Sequence, residues 1–355
     1  VRLGVSAALV DGVVVPGDVE VDGTTVAAAG LGAGRGTGLA VPGFVDLQVN
    51  GFAGVEFRSA DPGGYGRAAA ALAAGGAVAI QPTFYSCGLD EYVAALEVLA
   101  EVRAAPPVGC TFLPAHLEGP FLAPVWAGAH RPDSFLAPDR AVVDRLVRAG
   151  PVGCMTVAPE LPGALGVVRA LVSAGVVASI GHSDATAAQV RAAVDAGARH
   201  LTHCWNAHRR FAARDPGPAG VALTDPRLTV GLIADLVHVA AETVLLTMAA
   251  ARGRVAATGD AVAAAPGAPS RAARLGDGTL AGGLAGPDEL LRNLVGCGVE
   301  LADAVDACGG AQRRLLGSPE VRLRPGDPAD LVVLDDGLRP RRTLIGGREV
   351  WAATA

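Results

Sequence analysis

From about residue 43 to residue 260 the chain repeats one pattern: a short apolar run of strand length, a polar turn, then a segment with helical spacing. The runs read as strands at 43–49, 77–83, 111–118, 154–159, 177–182, 199–203, 229–235 and 255–260. Helices are expected at 89–103, 139–149, 165–174, 186–195 and 241–251. In the segment 186–195, Ala188, Val190, Ala192 and Ala193 fall among Gln189, Arg191 and Asp195, as in a helix packed on a sheet. Strand and helix in alternation build βαβ units around a parallel sheet. Eight such strands predict an α/β fold, a closed (β/α)8 TIM-type barrel spanning residues 41–324.

The two ends read differently. Residues 8–15 and 18–28 have strand character and precede a glycine-rich run at 30–38; residues 329–335 and 343–350 are again strand-like, with a turn at Gly346-Gly347. Strand-rich ends around a different middle predict a small β-sandwich domain built from both termini, residues 1–40 and 325–355.

Hydrophobic residues make up 51% of the chain and charged residues 18%, which is ample for a large core. The apolar excess lies in Ala, Val and Gly, so no run reaches the ~18 strongly apolar residues of a membrane span. No basic, apolar leader of the secretory type is visible, and the reading is a soluble, cytoplasmic protein with no membrane partner. A net charge of −6 argues against nucleic acid as a partner. It leaves room for a small anion, since a few arginines and helix N-termini suffice for one phosphate. The six cysteines form no CxxC pair and read as small core residues. Lysine is absent: all 29 basic side chains are arginine. That removes a Walker phosphate loop, Schiff-base chemistry and a carbamylated lysine bridging two metals, leaving His, Asp, Glu and Arg to do the chemistry.

These residues are not scattered. Glu118, His182, His203, the pair Asp235/His238 and Asp260 each fall at or just after the C-terminal end of an expected strand. In a barrel those ends converge on one mouth, where catalytic groups sit. A single histidine at a strand end is more often a hydrogen-bonded core residue; several strands ending in imidazole or carboxylate reverse that preference. His116 and Glu118 share one face by the period of two, and Gly119-Pro120 turns the chain away. After His182, Ser183 or Asp184 is expected to cap the following helix, which leaves His182 without a structural task. Glu118, His182 and His203 make a set of two imidazoles and one carboxylate with an open position, the composition of catalytic zinc sites.

At this point the chain resembles a known family. Pro42-Gly43-Phe44-Val45-Asp46-Leu47-Gln48-Val49-Asn50-Gly51, His116-Leu117-Glu118-Gly119-Pro120-Phe121, Gly128-Ala129-His130, Ala158-Pro159-Glu160, Gly181-His182-Ser183-Asp184-Ala185-Thr186, Asn206-Ala207 and the segments 233–239 and 326–334 are similar to the motif series of N-acetylglucosamine-6-phosphate deacetylases, within the amidohydrolase superfamily. The resemblance runs in order from about Val41 to the C-terminus. It implies one divalent metal per subunit, zinc first, with iron, manganese or cobalt as alternatives, held by Glu118, His182 and His203. Gln48-Val49-Asn50 stands where many superfamily members carry His-x-His, and in this family that variant accompanies a single-metal site. The resemblance further implies that Asp260 is the general base and later the acid, and that His130 polarises the acetyl carbonyl. Gln48 is implied either beside the metal's water or filling the second-metal position. His238, Asn206, the backbone at Ala207 and Arg214 are implied in phosphate recognition. Arg214 would complete the neighbouring subunit's site, hence a homodimer, with an amino-sugar phosphate as the small-molecule partner. Arg209 and Arg210 are expected to be a solvated basic loop.

Three places depart from the family pattern. His208-Arg209-Arg210 follows Asn-Ala where a methionine is common, Ala257-Thr258-Gly259 precedes Asp260, and the loop 280–287 is glycine-rich. These bear on which sugar phosphate fits and leave the proposed ligands and base untouched. The rival readings are a deacetylase for the galacto epimer or another amidohydrolase, such as a cyclic-amide hydrolase. A non-catalytic sugar-phosphate-binding protein, and an aldolase or isomerase on the same barrel, stand further off.

Overall fold

The computed structural model describes residues 1–32, 36–263 and 272–354. Its centre is a ring of parallel strands: β1 (Phe44–Val49), β2 (Ala77–Tyr85), β3 (Ala115–Phe121), β4 (Val152–Val157), β5 (Val177–Ile180), β6 (His200–Leu201), β7 (Thr229–Ile233) and β8 (Val255–Thr258). Each pairs in parallel with the next from β1 to β8. The seam between β8 and β1 is closed by few bonds. Asn50 and Gly51 both donate backbone N–H to the Ala261 carbonyl, at 2.7 and 3.0 Å, and the Thr258 hydroxyl reaches Gln48 O at 3.0 Å.

Helices cover the ring: α1 (Pro62–Ala74), α2 (Leu89–Ala104), α3 (Arg140–Ala149), α4 (Ala164–Ser173), α5 (Ala187–Asp195), α6 (Gly217–Thr224), α7 (Ala241–Ala250) and α8 (Pro287–Gly296), with a further helical run from Leu301 to Leu315 packed on β1 and β8. Their inner faces, among them Leu72, Leu96, Leu146, Leu171, Val190 and Leu290, share one buried cluster with Ile80, Leu117, Met155, Ile180 and Leu232 of the strands. Helices on the outside explain why the strands read as continuous apolar runs with no alternation.

Helices α1, α6 and α8, and the short helices Leu301–Val305 and Ala311–Leu315, lie where none was expected. In α1, glycines at 63, 64 and 66 suggest loop, yet Asp61 accepts from Gly64 N at 2.7 Å and Pro62 occupies the first turn, a favourable start. Helix α6 buries seven of its eight residues, so it has no polar stripe to reveal a period. The expected strand 111–118 is split. Thr111–Phe112 pairs with β2, and β3 begins only at Ala115, because Leu113-Pro114 interrupts the ladder.

The termini meet in a six-stranded sheet ordered Val13–Pro16, Ala7–Val10, Leu39–Pro42, Leu331–Leu334, Pro340–Ile345, Arg348–Ala352. A hairpin of Asp18–Asp22 and Thr25–Leu31 packs on it through Val19, Val21 and Val26 against Ala8, Ala40, Leu331 and Leu344. Residues 8–15 are therefore two antiparallel strands turning at Asp11-Gly12, not one strand. No helix among the described residues is long and apolar enough to cross a membrane.

The start of α5 differs from expectation. Its cap is Thr186, whose hydroxyl accepts from Gln189 N at 3.4 Å while the Gln189 side chain accepts from Thr186 N at 2.9 Å. Ser183 and Asp184 are engaged elsewhere, with Glu160 and Trp126. Thr186→Ala should lower the thermal midpoint by roughly 1–3 °C, as loss of a capping box on a chain of this size predicts. An unshifted calorimetric midpoint would mean the box adds nothing.

Candidate active site

The C-terminal ends of the strands open onto a cavity of about 690 Å³. Glu118, His130, His182, His203, Asn206, Ala207, His238 and Asp260 all line it. Gln48 lies buried beneath, its Nε2 donating to Glu118 Oε1 at 3.0 Å. Arg214 is exposed and does not line the cavity of its own chain. Of the sequence-expected site residues, all but Arg214 gather at this mouth.

Glu118 sits at the middle of β3, all seven residues of which are buried, and its Oε1 lies 3.1 Å from His182 Nε2 and 2.8 Å from His203 Nε2. The two Nε2 atoms are 3.2 Å apart. The far nitrogen of each ring is committed outward: His182 Nδ1 donates to Trp126 O at 2.8 Å, and His203 Nδ1 to Asn206 O at 3.1 Å. With the ring protons on Nδ1, both Nε2 atoms and Oε1 point lone pairs at one another. A cation held between them would relieve that convergence. Ligands bound tetrahedrally at 2.0–2.1 Å from a metal sit roughly 3.3 Å apart, close to these spacings, and a backbone carbonyl on the far nitrogen is the usual support for a metal-binding histidine.

His130 can also be grouped with Glu118 and His182, its ligand atom lying within 4.8 Å of theirs. Its hydrogen bonds point to a different task. The Ser86 backbone N–H donates to His130 Nδ1 at 3.3 Å, with the Ser86 hydroxyl 3.1 Å from the same nitrogen, and the backbone donor favours the neutral tautomer with its proton on Nε2. That Nε2–H faces the cavity, 3.6 Å from Glu118 Oε2. His130 is thus a donor, whereas His182 and His203 are acceptors. Ser86 is itself buried, and its hydroxyl reaches Glu118 O at 3.1 Å. Gly119, at φ +106°, leaves it the room: a Cβ there would stand 2.5 Å from Ser86 Oγ.

Asp260 follows β8 with φ +44°, a left-handed conformation disfavoured for a non-glycine residue. Burial, followed by the charge of Glu118, pushes its carboxyl well above the usual range, and a 2.8 Å hydrogen bond from Asn50 Nδ2 to Oδ1 opposes that rise. Asp46 lies below, taking hydrogen bonds from Gln48 N, Gly259 N and the Thr258 hydroxyl. Burial still lifts it to about 6.

On the other side, the Asp235 carboxylate accepts from Val237 N, His238 N and His238 Nδ1, the last at 2.7 Å. This turns His238 Nε2 away from Asp235. Strain concentrates here: His182, His203, Trp205, Ala207, Leu236 and Asp260 are six of the ten described non-glycine residues with positive φ. Such clustering is typical of sites where surrounding bonds over-determine the backbone.

The basic loop departs from expectation at one residue. Arg209 is half-buried, pairing with Asp184 at 3.3 Å and Asp215 at 3.0 Å. His208 is buried, and its Nε2 donates to Thr202 O at 2.8 Å. Arg210 is exposed. The glycine-rich loop forms a hairpin, Leu280–Gly283 against Ala272–Arg274. Gly283 meets the chain at Asp260, donating N–H to Asp260 O at 2.8 Å, and a Cβ on it would stand 2.2 Å from Gly259 O.

Sequence reasoning missed Ser86, Asn50, Trp126 and the wall residues Glu56 and Tyr85. Asn50 was legible from period two, sharing the inward face with Gln48. Ser86 follows directly on β2, a position as telling as that of His182 after β5. The carbonyl of Trp126 left no trace in residue type.

No family model matches the chain. It is 34% identical over 332 residues to the N-acetylgalactosamine-6-phosphate deacetylase of Escherichia coli O157:H7, covering 88% of each. It is 35% identical to the N-acetylglucosamine-6-phosphate deacetylase of Bos taurus, covering 87% of this chain and 83% of that one. Among solved structures, a variant of the N-acetyl-D-glucosamine-6-phosphate deacetylase of Mycobacterium smegmatis, in complex with N-acetyl-D-glucosamine-6-phosphate, superposes with a TM-score of 0.91 at 34% identity over 98% of both chains. The Thermotoga maritima structure, at 23% identity and a TM-score of 0.92, shares the fold. By sequence and by fold, the chain belongs to the N-acetylglucosamine-6-phosphate deacetylase family of amidohydrolases.

Proposed function

We propose that this chain hydrolyses the acetamide of N-acetylglucosamine-6-phosphate, giving glucosamine-6-phosphate and acetate. The observation that carries the reading is the convergence of Glu118 Oε1 with the bare Nε2 atoms of His182 and His203 in one cavity with Asp260. In this reading Glu118, His182 and His203 hold one divalent cation, zinc in the first instance, with iron, manganese and cobalt accepted by the same donors. When bound, it supplies Lewis acidity toward a carbonyl oxygen or a water.

The chain's own residues do the rest. Asp260 takes a proton from the attacking water, and a carboxyl held high by burial keeps that proton long enough to deliver it to the departing nitrogen. The amide C–N bond breaks, the water oxygen ends in acetate and the nitrogen leaves as the amine. His130 offers Nε2–H to the acetyl oxygen as negative charge develops there. His238, Asn206 and the Ala207 backbone bind the phosphate from within the cavity. Arg214 of a second copy completes that site in a homodimer, its guanidinium fork matching the phosphate oxygens. Exposure of Arg214 outside its own cavity supports a role between subunits. Gln48, donating to Glu118, takes the place of a second metal's ligand. The cytoplasm, where free amino-sugar phosphates are metabolised, is the proposed compartment. The 34% identity to an N-acetylgalactosamine-6-phosphate deacetylase favours the galacto epimer as the second reading.

Acetate release from the gluco and galacto phosphates, with the unphosphorylated sugars as controls, tests both readings. Release confined to phosphorylated sugars and abolished by a chelator is expected, with the gluco epimer preferred. Preference for the galacto epimer selects the second reading, and no release from either by metal-loaded protein sinks both. Asp260→Asn should keep its metal and lose at least ~100-fold in kcat, as removal of a general base does; near-normal turnover rules out that role. His203→Ala should lower metal content by elemental analysis, and unchanged stoichiometry would strike it from the ligands. Arg214→Ala should raise KM for the sugar phosphate by roughly tenfold with metal content intact, the signature of a lost binding contact; an unchanged KM would remove it from the phosphate site.

A further inference from the structure

Asn50 directly follows β1, two positions beyond Gln48, and lines the cavity as Gln48's neighbour on the inward face. It is buried, with 6% of its surface exposed. Its Nδ2 donates to Asp260 Oδ1 at 2.8 Å, while its own Oδ1 is buried without a hydrogen-bond partner. A buried amide that leaves its acceptor unpaired has been oriented for its donor, because an orphaned polar atom is unfavourable and calls for an explanation. Turning the amide over would set Asn50 Oδ1 against the Asp260 carboxylate, oxygen to oxygen.

Asp260 needs such a donor. Three other carboxylates, Glu118, Asp46 and Asp235, push against its charge. Its backbone has left the strand at φ +44°, so β8 no longer dictates where the side chain points. The backbone around Asn50 is fixed independently of the side chain: Asn50 N and Gly51 N bind Ala261 O, at 2.7 and 3.0 Å, and Val49 bridges to Ala261. The amide is thus carried on a clamp attached to the residue that follows Asp260.

We propose that Asn50 is the positioning residue of the Asp260 carboxylate: its amide N–H occupies Oδ1 and fixes the plane of the group, so that Oδ2 is the oxygen that exchanges a proton with water and leaving nitrogen. Asp260 Oδ2 carries no hydrogen bond among the described residues. The proposal rests on the reading of Asp260 as the proton-transfer group. Its function is specific to an asparagine: alanine removes the donor, and aspartate keeps the shape but replaces the donor with an acceptor.

Asn50→Ala is expected to lower kcat roughly 10- to 100-fold, the range for losing a hydrogen bond to a charged group, with KM within about threefold and metal content unchanged. Asn50→Asp should be at least as impaired. Added to Asp260→Asn, Asn50→Ala should cost no more than about twofold further, because the group it positions no longer moves a proton. A role confined to the fold would instead lower both backgrounds equally. A crystal structure of Asn50→Ala should show the Asp260 carboxylate rotated from its present plane. Turnover within about twofold of the unmodified chain, equal losses in both backgrounds, or an unmoved carboxylate overturns the proposal. If the unmodified chain releases acetate from neither epimer, the functional reading has failed, and the carboxylate's position in the variant still decides whether Asn50 holds it. Should Asn50→Ala not fold, Asn50→Asp is read in the same way.

Discussion

Three lone pairs, on Glu118 Oε1, His182 Nε2 and His203 Nε2, are held within 3.2 Å of one another with the ring protons committed elsewhere. That arrangement is one a bound cation would complete, and much of the mouth can be read as the means of enforcing it. His182 is held by the carbonyl of Trp126, so the 124–126 turn must stay in place. Trp126 Nε1 is bound to Asp184, and Arg209 reaches the same carboxylate. Glu160 in turn accepts from the Ser183 hydroxyl and from Asp184 N. The motif Ala158-Pro159-Glu160 thereby acts on the centre through three successive contacts without touching it. Arg209, one of the residues that departs from the family pattern, is a strut in this frame.

The same enforcement is visible in the backbone. His182, His203 and Asp260 all leave their strands through left-handed φ values, at +46°, +28° and +44°. A strand residue with ordinary φ would send its side chain along the alternating faces of the ladder. The sharp departure just past the last paired residue aims imidazole and carboxylate into the mouth instead. Each such residue is disfavoured by about 1–3 kcal/mol, which the parallel strands and their helices must offset. The fully buried strand interiors are therefore part of the site's construction.

Much of this was legible in the residues. Apolar runs with period-free burial marked all eight barrel strands, because helices cover their outer side and no alternation is needed. The ends of those runs marked Glu118, His182, His203 and Asp260. Legibility failed where local signals conflict with tertiary context. Helix α6 has no polar stripe because both its sides are packed, and the glycines of α1 mask a good cap at Asp61. The cap of α5 was misread because Ser183 and Asp184 have acceptors and donors claimed by Glu160 and Trp126, which are distant in sequence. Contacts made through backbone atoms, such as the carbonyls of Trp126 and Asn206 or the N–H of Ser86, are independent of residue type and leave nothing to read.

The carboxylates at the mouth can be sorted by what already satisfies them. Asp46 accepts two backbone N–H groups and the Thr258 hydroxyl, and Asp235 accepts two backbone N–H groups and the His238 ring. Both are saturated, and saturation by fixed donors is the mark of a scaffold group. Asp260, by contrast, has a single side-chain donor, Asn50, among the described residues, and Glu118 has the Gln48 amide beside the two imidazoles. Gln48 lies on β1 and Asn50 directly follows it, at the positions where the resemblance sets Gln-x-Asn in place of a His-x-His pair. A neutral amide lends a carboxylate one hydrogen bond but no charge, so it steadies the group while leaving its negative charge to be met from the cavity. The two carboxylates left incomplete are the two that face the bare imidazoles and the open mouth. What each lacks is what the proposed function would supply: a cation beside Glu118 and an exchangeable proton on Asp260.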